Sequence, residues 1–408
     1  MTLTSVIQEA RDRFGDDQVF ALNQVAMARA AQGESILNST LGTLAMEDGT
    51  LAVMPSVLET MERLQGAGCA GYAPVSGKPE FLSAVIADVF GEGPLAEQAI
   101  SAAAPGGTGA IYQAVINFLK TGQKFLATSF HWNPYPGIAD NTGRGFDTFE
   151  MFSDDGSFNV EALAAAVDQH VETQGRVLVV LNFPCHNPTG YSLTLKEWQQ
   201  VSEVLQEAGK RAPVSVLFDI AYFRFGGSAA TSWIDIVPEL LTSTTVLAAW
   251  TASKSYCQYG ARTGALIALH RDEGERSQIK NALGYTCRAT WSNCVHLGQL
   301  AMTELITDSE LRARADAERQ ELVDLLDERI VLFNRLAAEA GLNTPRYESG
   351  FFTAVLTPDS ERTAAVMRDE GVFVLPTPGA ARIALCATSK AELPRLVASL
   401  KEGVQAAG

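Results

Sequence analysis

The chain has 408 residues, 47% of them hydrophobic and 19% charged, an ordinary globular composition with room for one large core and a smaller one. Its 31 basic and 47 acidic side chains leave a net charge of −16. That balance repels a phosphate backbone and, with no local basic patch visible, argues against nucleic acid as a partner.

The opening MTLTSVIQEARDRFGDD is amphipathic and lacks the apolar core of a signal peptide. The longest apolar runs, RVLVVLNF among them, are too short to span a bilayer. A soluble, cytoplasmic protein without membrane or nucleic-acid partners is expected. None of Cys69, Cys185, Cys257, Cys287, Cys294 and Cys386 forms a C-x-x-C pair, so reduced, mostly buried thiols are expected.

Through the middle of the chain, apolar β-branched runs alternate with helical patterns. KFLATS (124–129), RVLVVLNFP (176–184), VSVLFDIAYF (214–223), TTVLAAWT (244–251) and GALIALH (264–270) read as strands buried on both faces. GGTGAIYQAVINFLKTG (106–122), VEALAAAVDQHVETQG (160–175) and TLKEWQQVSEVLQEAGKR (194–211) read as the helices between them. The alternation predicts βαβ units: an α/β domain with a mostly parallel central sheet and helices on both faces. After residue 300 the pattern changes to one long charged helix (308–341). Short strands follow in GFFTAVLT, GVFVLP and ARIALCA, then a last helix in SKAELPRLVASLKEGVQ. The expected division is an N-terminal segment (1–46) belonging to a small α+β domain, a large domain (47–315) and the rest of the small domain (316–408).

Polar residues fall at the carboxyl ends of these strands, where open α/β sheets bind ligands. Lys254 follows TTVLAAW, and a lysine at a partly buried site can lose its proton and attack a carbonyl, forming a Schiff base. Asp219 ends VSVLF. An aspartate there is ordinarily a cap or turn residue, but it is also what a pyridinium nitrogen needs to stay protonated. Tyr222 stands three residues on, and Asn187, in the Asn-Pro-Thr-Gly turn, lies above the sheet edge. APGGTGAIYQAV (104–115) opens a helix with glycines that expose N–H groups to an anion. Without G-x-G-x-x-G spacing or a ribose-binding acid, one phosphate fits it better than a dinucleotide. Thr251, Ser253 and Arg262 could add donors to that phosphate.

Together HNPTG (186–190), FDIAY (218–222) and SK followed by GARTG (260–264) resemble the class I aminotransferases: pyridoxal-phosphate enzymes of fold type I, and within them the aspartate/aromatic branch. The matching motifs run from residue 42 to residue 382. The resemblance implies pyridoxal 5'-phosphate as cofactor, no metal, and a homodimer working in amino acid metabolism. Lys254 would hold the cofactor as a Schiff base and shuttle its proton. Asp219 would pair with the pyridine nitrogen, Tyr222 and Asn187 with the 3-oxygen, and Trp132 would stack on the ring. Gly107, Thr108, Thr251 and Arg262 match the phosphate cup, with Tyr72 reaching it from the neighbouring subunit. Arg382, helped by the Gly42 backbone, matches the clamp for the substrate α-carboxylate. Arg288, before TWSN, matches an arginine that crosses the interface to a dicarboxylate's distal carboxylate. An Asn187–Pro188 cis bond is also implied.

The chain departs from the branch at several positions. Tyr135 stands where a histidine supports the pyridine-binding aspartate. Thr43 and Leu44 replace Ala-Tyr after Gly42, and Ala45 replaces a basic residue. The substrate pocket is accordingly expected to be more apolar, and to accept aromatic or other apolar donors beside aspartate, with 2-oxoglutarate as acceptor. A β-lyase or decarboxylase would share every one of these residues. A turnover-dead binding protein and a nicotinamide oxidoreductase are the readings from other classes.

Overall fold

The structure, a computed structural model, describes residues 5–11 and 17–408; the rest of the opening segment lies outside them. Twelve strands form among the described residues: β1 Leu37–Asn38, β2 Ala99–Pro105, β3 Lys124–Thr128, β4 Gly145–Phe149, β5 Val177–Leu181, β6 Val214–Asp219, β7 Thr245–Thr251, β8 Thr263–Leu269, β9 Phe352–Leu356, β10 Val372–Phe373, β11 Leu375–Thr377 and β12 Ala380–Ala384. Seven make the central sheet in the order β2-β8-β7-β6-β5-β3-β4. The five from β7 to β4 run parallel, whereas β8 is antiparallel to both β7 and β2.

The unbroken apolar run of β5 and the mostly apolar runs of β6 and β8 follow from burial on both faces. Val177, Val179 and Leu181 join one core cluster and Leu178 and Val180 the other, as the two-residue period of a strand requires. On the second face Ile111, Ala114 and Phe118 of the helix Gly106–Phe118 meet Ile279, Leu283 and Cys287 of the helix Glu273–Thr290. On the first, Trp198, Val201 and Leu205 of the helix Leu195–Gly209 cover the sheet. That helix begins with a capping box between Thr194 and Glu197.

The C-terminal strands form an antiparallel sheet, β11-β12-β9. β1 pairs in parallel with β10, Leu37 against Val372, so the segment GVFVLP divides between two sheets rather than forming one strand. The helix Ser309–Ala340 runs 32 residues from its Asp308 cap to Gly341, whose φ of 72° ends it in the left-handed region. All six cysteines are free; five are buried and Cys69 is partly exposed. No helix among the described residues is long and apolar enough to cross a membrane.

Candidate active site

Strand polarity gathers the polar residues at one place. Asp219 is the last residue of β6, and Thr251 is the last of β7. The Thr251 hydroxyl caps the single helical turn Ala252–Ser255, which carries Lys254. Antiparallel β8 starts where β7 ends, with Gly264 opposite Thr251. Arg262, held at a φ of 48°, is thereby set beside the start of the Gly106 helix. The approach is close: a Cβ on Gly106 would sit 2.4 Å from Arg262 Nη2, and one on Gly264 would sit 2.5 Å from the Gly106 carbonyl carbon. Both positions must be glycine for these segments to meet.

A cavity of about 630 Å³ lies over these strand ends. Lys254, Asp219, Tyr222 and Asn187 line it. Gly107, Thr108, Thr251, Ser253 and Arg262 line it too, as do Gly42, Trp132 and Arg382. The structure thus brings together every single-chain site residue expected from the sequence. Tyr72 and Arg288 stand apart. Tyr72 is 92% exposed, and exposed Arg288 donates to Ser292 Oγ, at 2.6 Å.

Burial sets the electrostatics. It pulls the Lys254 ammonium down to about 8, with Arg382 and Arg262 contributing in the same direction. Lys254 Nζ donates to the Gly42 carbonyl, and its amine lies 4.5 Å from the Tyr259 ring centre. Burial also raises the Asp219 carboxyl to about 6, opposed by hydrogen bonds from the Tyr135 hydroxyl and the Ala221 backbone. Desolvation and the Asp219 charge drive the Tyr222 phenol far above its usual range, so it stays a neutral donor; Asn187 is its hydrogen-bond partner. Arg382 is pulled down to about 10 by burial and remains a cation at neutral pH. It donates to the Thr40 carbonyl and, at 3.5 Å, to Asn187 Oδ1, while its buried Nε has no partner among the described residues.

The sequence reading missed several members of this site. Asn182 donates to the Asp219 carbonyl and accepts from the Asn187 N–H, both at 2.9 Å, tying two strand-end loops together. Tyr259 accepts from the Leu44 N–H at 2.9 Å. Asp17, Val19 and Phe20 close the rim from the helix Gln18–Ala31. Their signals were faint: one more asparagine after a strand, and an amphipathic helix far away in the chain. Asn187–Pro188 is cis, as expected, and Phe183–Pro184 is cis as well.

A half-buried amine, a buried carboxylate at the end of the adjacent strand and a glycine-opened helix start beside Arg262 make up an α/β cavity whose chemistry suits a phosphorylated carbonyl compound. The family model described as "Aminotransferase class I and II" matches residues 37–400. The chain belongs to this family of pyridoxal-phosphate-dependent transferases. It is 30% identical over 311 residues to an aromatic-amino-acid aminotransferase of Paracoccus denitrificans, covering 74% of this chain and 75% of that one. It is 25% identical over 403 residues to an aspartate aminotransferase of Pseudomonas aeruginosa, covering 94% and 96%. The crystal structure of an aminotransferase from Anaerococcus prevotii superposes with a TM-score of 0.93 at 30% identity, over 98% of this chain and 100% of the other. An aromatic-amino-acid aminotransferase from Burkholderia pseudomallei, covalently bound to pyridoxal phosphate, shares the fold with a TM-score of 0.82 at 22% identity, over 99% and 100%.

Proposed function

We propose that this aminotransferase moves an α-amino group from aspartate, an aromatic or another apolar amino acid to a 2-oxo acid such as 2-oxoglutarate, in two half-reactions of ping-pong form. The observation that carries the reading is that half-buried Lys254, just past the end of β7, and buried Asp219, at the end of neighbouring β6, line one cavity. The residues present fit pyridoxal phosphate: a readily deprotonated amine for its carbonyl, a carboxylate for its ring nitrogen, neutral Tyr222 and Asn187 for its ring oxygen, and a donor cup for its phosphate. In that cup the Gly107 and Thr108 N–H groups, Thr251, Ser253 and Arg262 would hold the dianion.

When bound, the cofactor supplies an electron sink for the electron pair left as the substrate's α-proton departs. Lys254 Nζ would take that proton from the substrate Cα and move it between substrate and cofactor. Asp219 would keep the pyridine nitrogen protonated. Trp132 would stack on the ring and orient it. The Arg382 fork, whose Nε is buried and unpartnered among the described residues, holds the α-carboxylate with help from Asn187 and the Gly42 backbone.

A second copy of the chain completes the site in this reading. Tyr72 would reach its partner's phosphate cup and Arg288 the distal carboxylate of a dicarboxylic substrate; their exposure leaves both side chains accessible to such a partner. The pairing of Leu37 with Val372 supports a small domain of 1–46 plus 316–408 around a large domain of 47–315. Borohydride reduction of the loaded enzyme and peptide mass mapping should find the pyridoxyl group on Lys254. A label on another lysine, or no amino transfer from any donor to 2-oxoglutarate, overturns the proposal.

A further inference from the structure

Two arginines deep in the long helix Ser309–Ala340 are not among the residues lining the cavity, yet each grips backbone in a segment that carries one of them. Arg319 is 5% exposed and Arg329 fully buried. Arg319 Nε donates to the Ser255 carbonyl at 2.7 Å. That carbonyl ends the single turn carrying Lys254, where a helix leaves its last acceptors without internal donors. The same guanidinium lies 5.1 Å from the ring centre of Tyr256 and pairs with Asp316 at 2.6 Å. The turn is held from behind.

Ten residues further along, about 15 Å of helix, Arg329 makes the matching contacts with two other segments. Its Nη1 donates to the Cys386 carbonyl at 2.9 Å and its Nη2 to the Ala45 carbonyl at 2.8 Å, while Glu47 pairs with it at 2.7 Å. Cys386 lies four residues after Arg382, and Ala45 three after Gly42. Arg329 therefore clamps both segments that present the carboxylate-binding groups. A buried guanidinium that only had to be neutralised would need its carboxylate, not two backbone carbonyls from separate segments as well.

We infer that the long helix acts as a spacer between proton transfer and carboxylate recognition, with Arg319 positioning Lys254 and Arg329 positioning Arg382 and Gly42. The inference rests on the roles proposed above for Lys254 and Arg382. It makes the two arginines separable. Loosening the Lys254 turn slows proton transfer and admits water to the amine; loosening the Cys386 and Ala45 segments weakens the hold on a carboxylate and leaves the amine alone.

The test uses loaded enzyme and three readings: kcat, the pH midpoint of the bound cofactor's visible band, and the Kd of 3-phenylpropanoate, a carboxylate without an amine. A misplacement of the order of an ångström costs up to about a hundredfold, so Arg319→Lys should lower kcat about tenfold or more, with Kd for the probe within about twofold of wild type. Its visible-band midpoint should rise. Arg329→Lys should raise that Kd about tenfold and leave the midpoint in place. Asp316→Asn and Glu47→Gln remove only the partly exposed partners and should move the same readings less, keeping the comparison available if a lysine variant fails to fold. Two controls isolate the premise: Lys254→Ala must abolish the titration, and Arg382→Ala must abolish probe binding. If either control fails, the site assignment falls. If both hold while the Arg319 and Arg329 variants change all three readings together, or none, the spacer inference is wrong.

Discussion

The Tyr135 hydroxyl donates to Asp219 Oδ2 across 2.8 Å, with both side chains buried. A phenol thus occupies the supporting position where the family resemblance leads one to expect an imidazole. Desolvation first, then the Asp219 charge, drives the Tyr135 phenol well above its usual range, so it donates a hydrogen bond and cannot become a cation. Tyr135→Phe keeps the ring's packing against Phe125 and Trp132 and removes only that donor. A hydrogen bond to a charged group is worth about 1.5–3 kcal/mol, so cofactor Kd should rise about ten- to hundredfold. Tyr135→His should recover much of the loss. Fluorescence titration of cofactor-free protein decides the matter, and an unchanged Kd in Tyr135→Phe would reduce the phenol to packing.

Asp219 should destabilise the protein until the cofactor binds. A carboxyl raised on folding from 3.8 to about 6 holds its proton more tightly in the folded chain. Stability from this group is therefore full below pH 4 and lost as pH rises through 6, a loss of roughly 3 kcal/mol at neutral pH. Asp219→Asn should raise the thermal midpoint of cofactor-free protein at pH 8, and the gain should shrink on going to pH 5. The same variant should bind cofactor poorly. A lower midpoint at pH 8 would contradict the argument.

Lys254 gives a second pH signature, of opposite sign. Its folded value near 8 lies below the ordinary 10.5, so the neutral amine gains population as pH climbs through 8. The rate at which cofactor-free enzyme takes up pyridoxal phosphate covalently should rise about tenfold from pH 7 and level off above pH 8 to 9. A rate still climbing toward pH 10.5 would mark an ordinary solvated lysine. Lys254→Ala should retain non-covalent cofactor and lose most turnover.

Arg288 divides the possible substrates. Placed in a partner's site, it would pair with a distal carboxylate, and breaking a desolvated pair costs about 3–5 kcal/mol. Arg288→Ala should lower kcat/KM for aspartate or 2-oxoglutarate a hundred- to several-thousand-fold, on the order set by that energy, and much less for phenylalanine. Equal losses for both donors would make Arg288 structural. The rim residues Val19, Phe20 and Leu41 favour the apolar donor.

Most of the central sheet was legible because β5, β6, β7 and β8 are buried on both faces and write that burial as continuous apolar runs. β2 and β4 were not. AISAAAP is an alanine-rich strand of low β-propensity, and GFDTF is an edge strand with exposed Thr148 and with Asp147 bonded to His170 and Lys124. The reversed direction of β8 was hidden too, since a buried strand looks alike in either sense. Lys254, Asp219 and Arg382 could be found through motif order. Asn182, Tyr259 and the Gln18–Ala31 rim owe their place to three-dimensional closure of segments distant in the chain, which local pattern does not record.

The contact between Gly106 and Gly264 bears on how such a chain could be redesigned. The anion cup is built where two backbones touch with no room for a methyl group, so its shape is set by sheet register rather than by the side chains chosen nearby. The rim belongs to a different regime: Phe20 is 61% exposed and belongs to a helix outside the central sheet. A directed-evolution library confined to Val19, Phe20, Leu41 and Thr43 would sample substrate preference on a surface that tolerates change, with the anchoring floor insulated from the search.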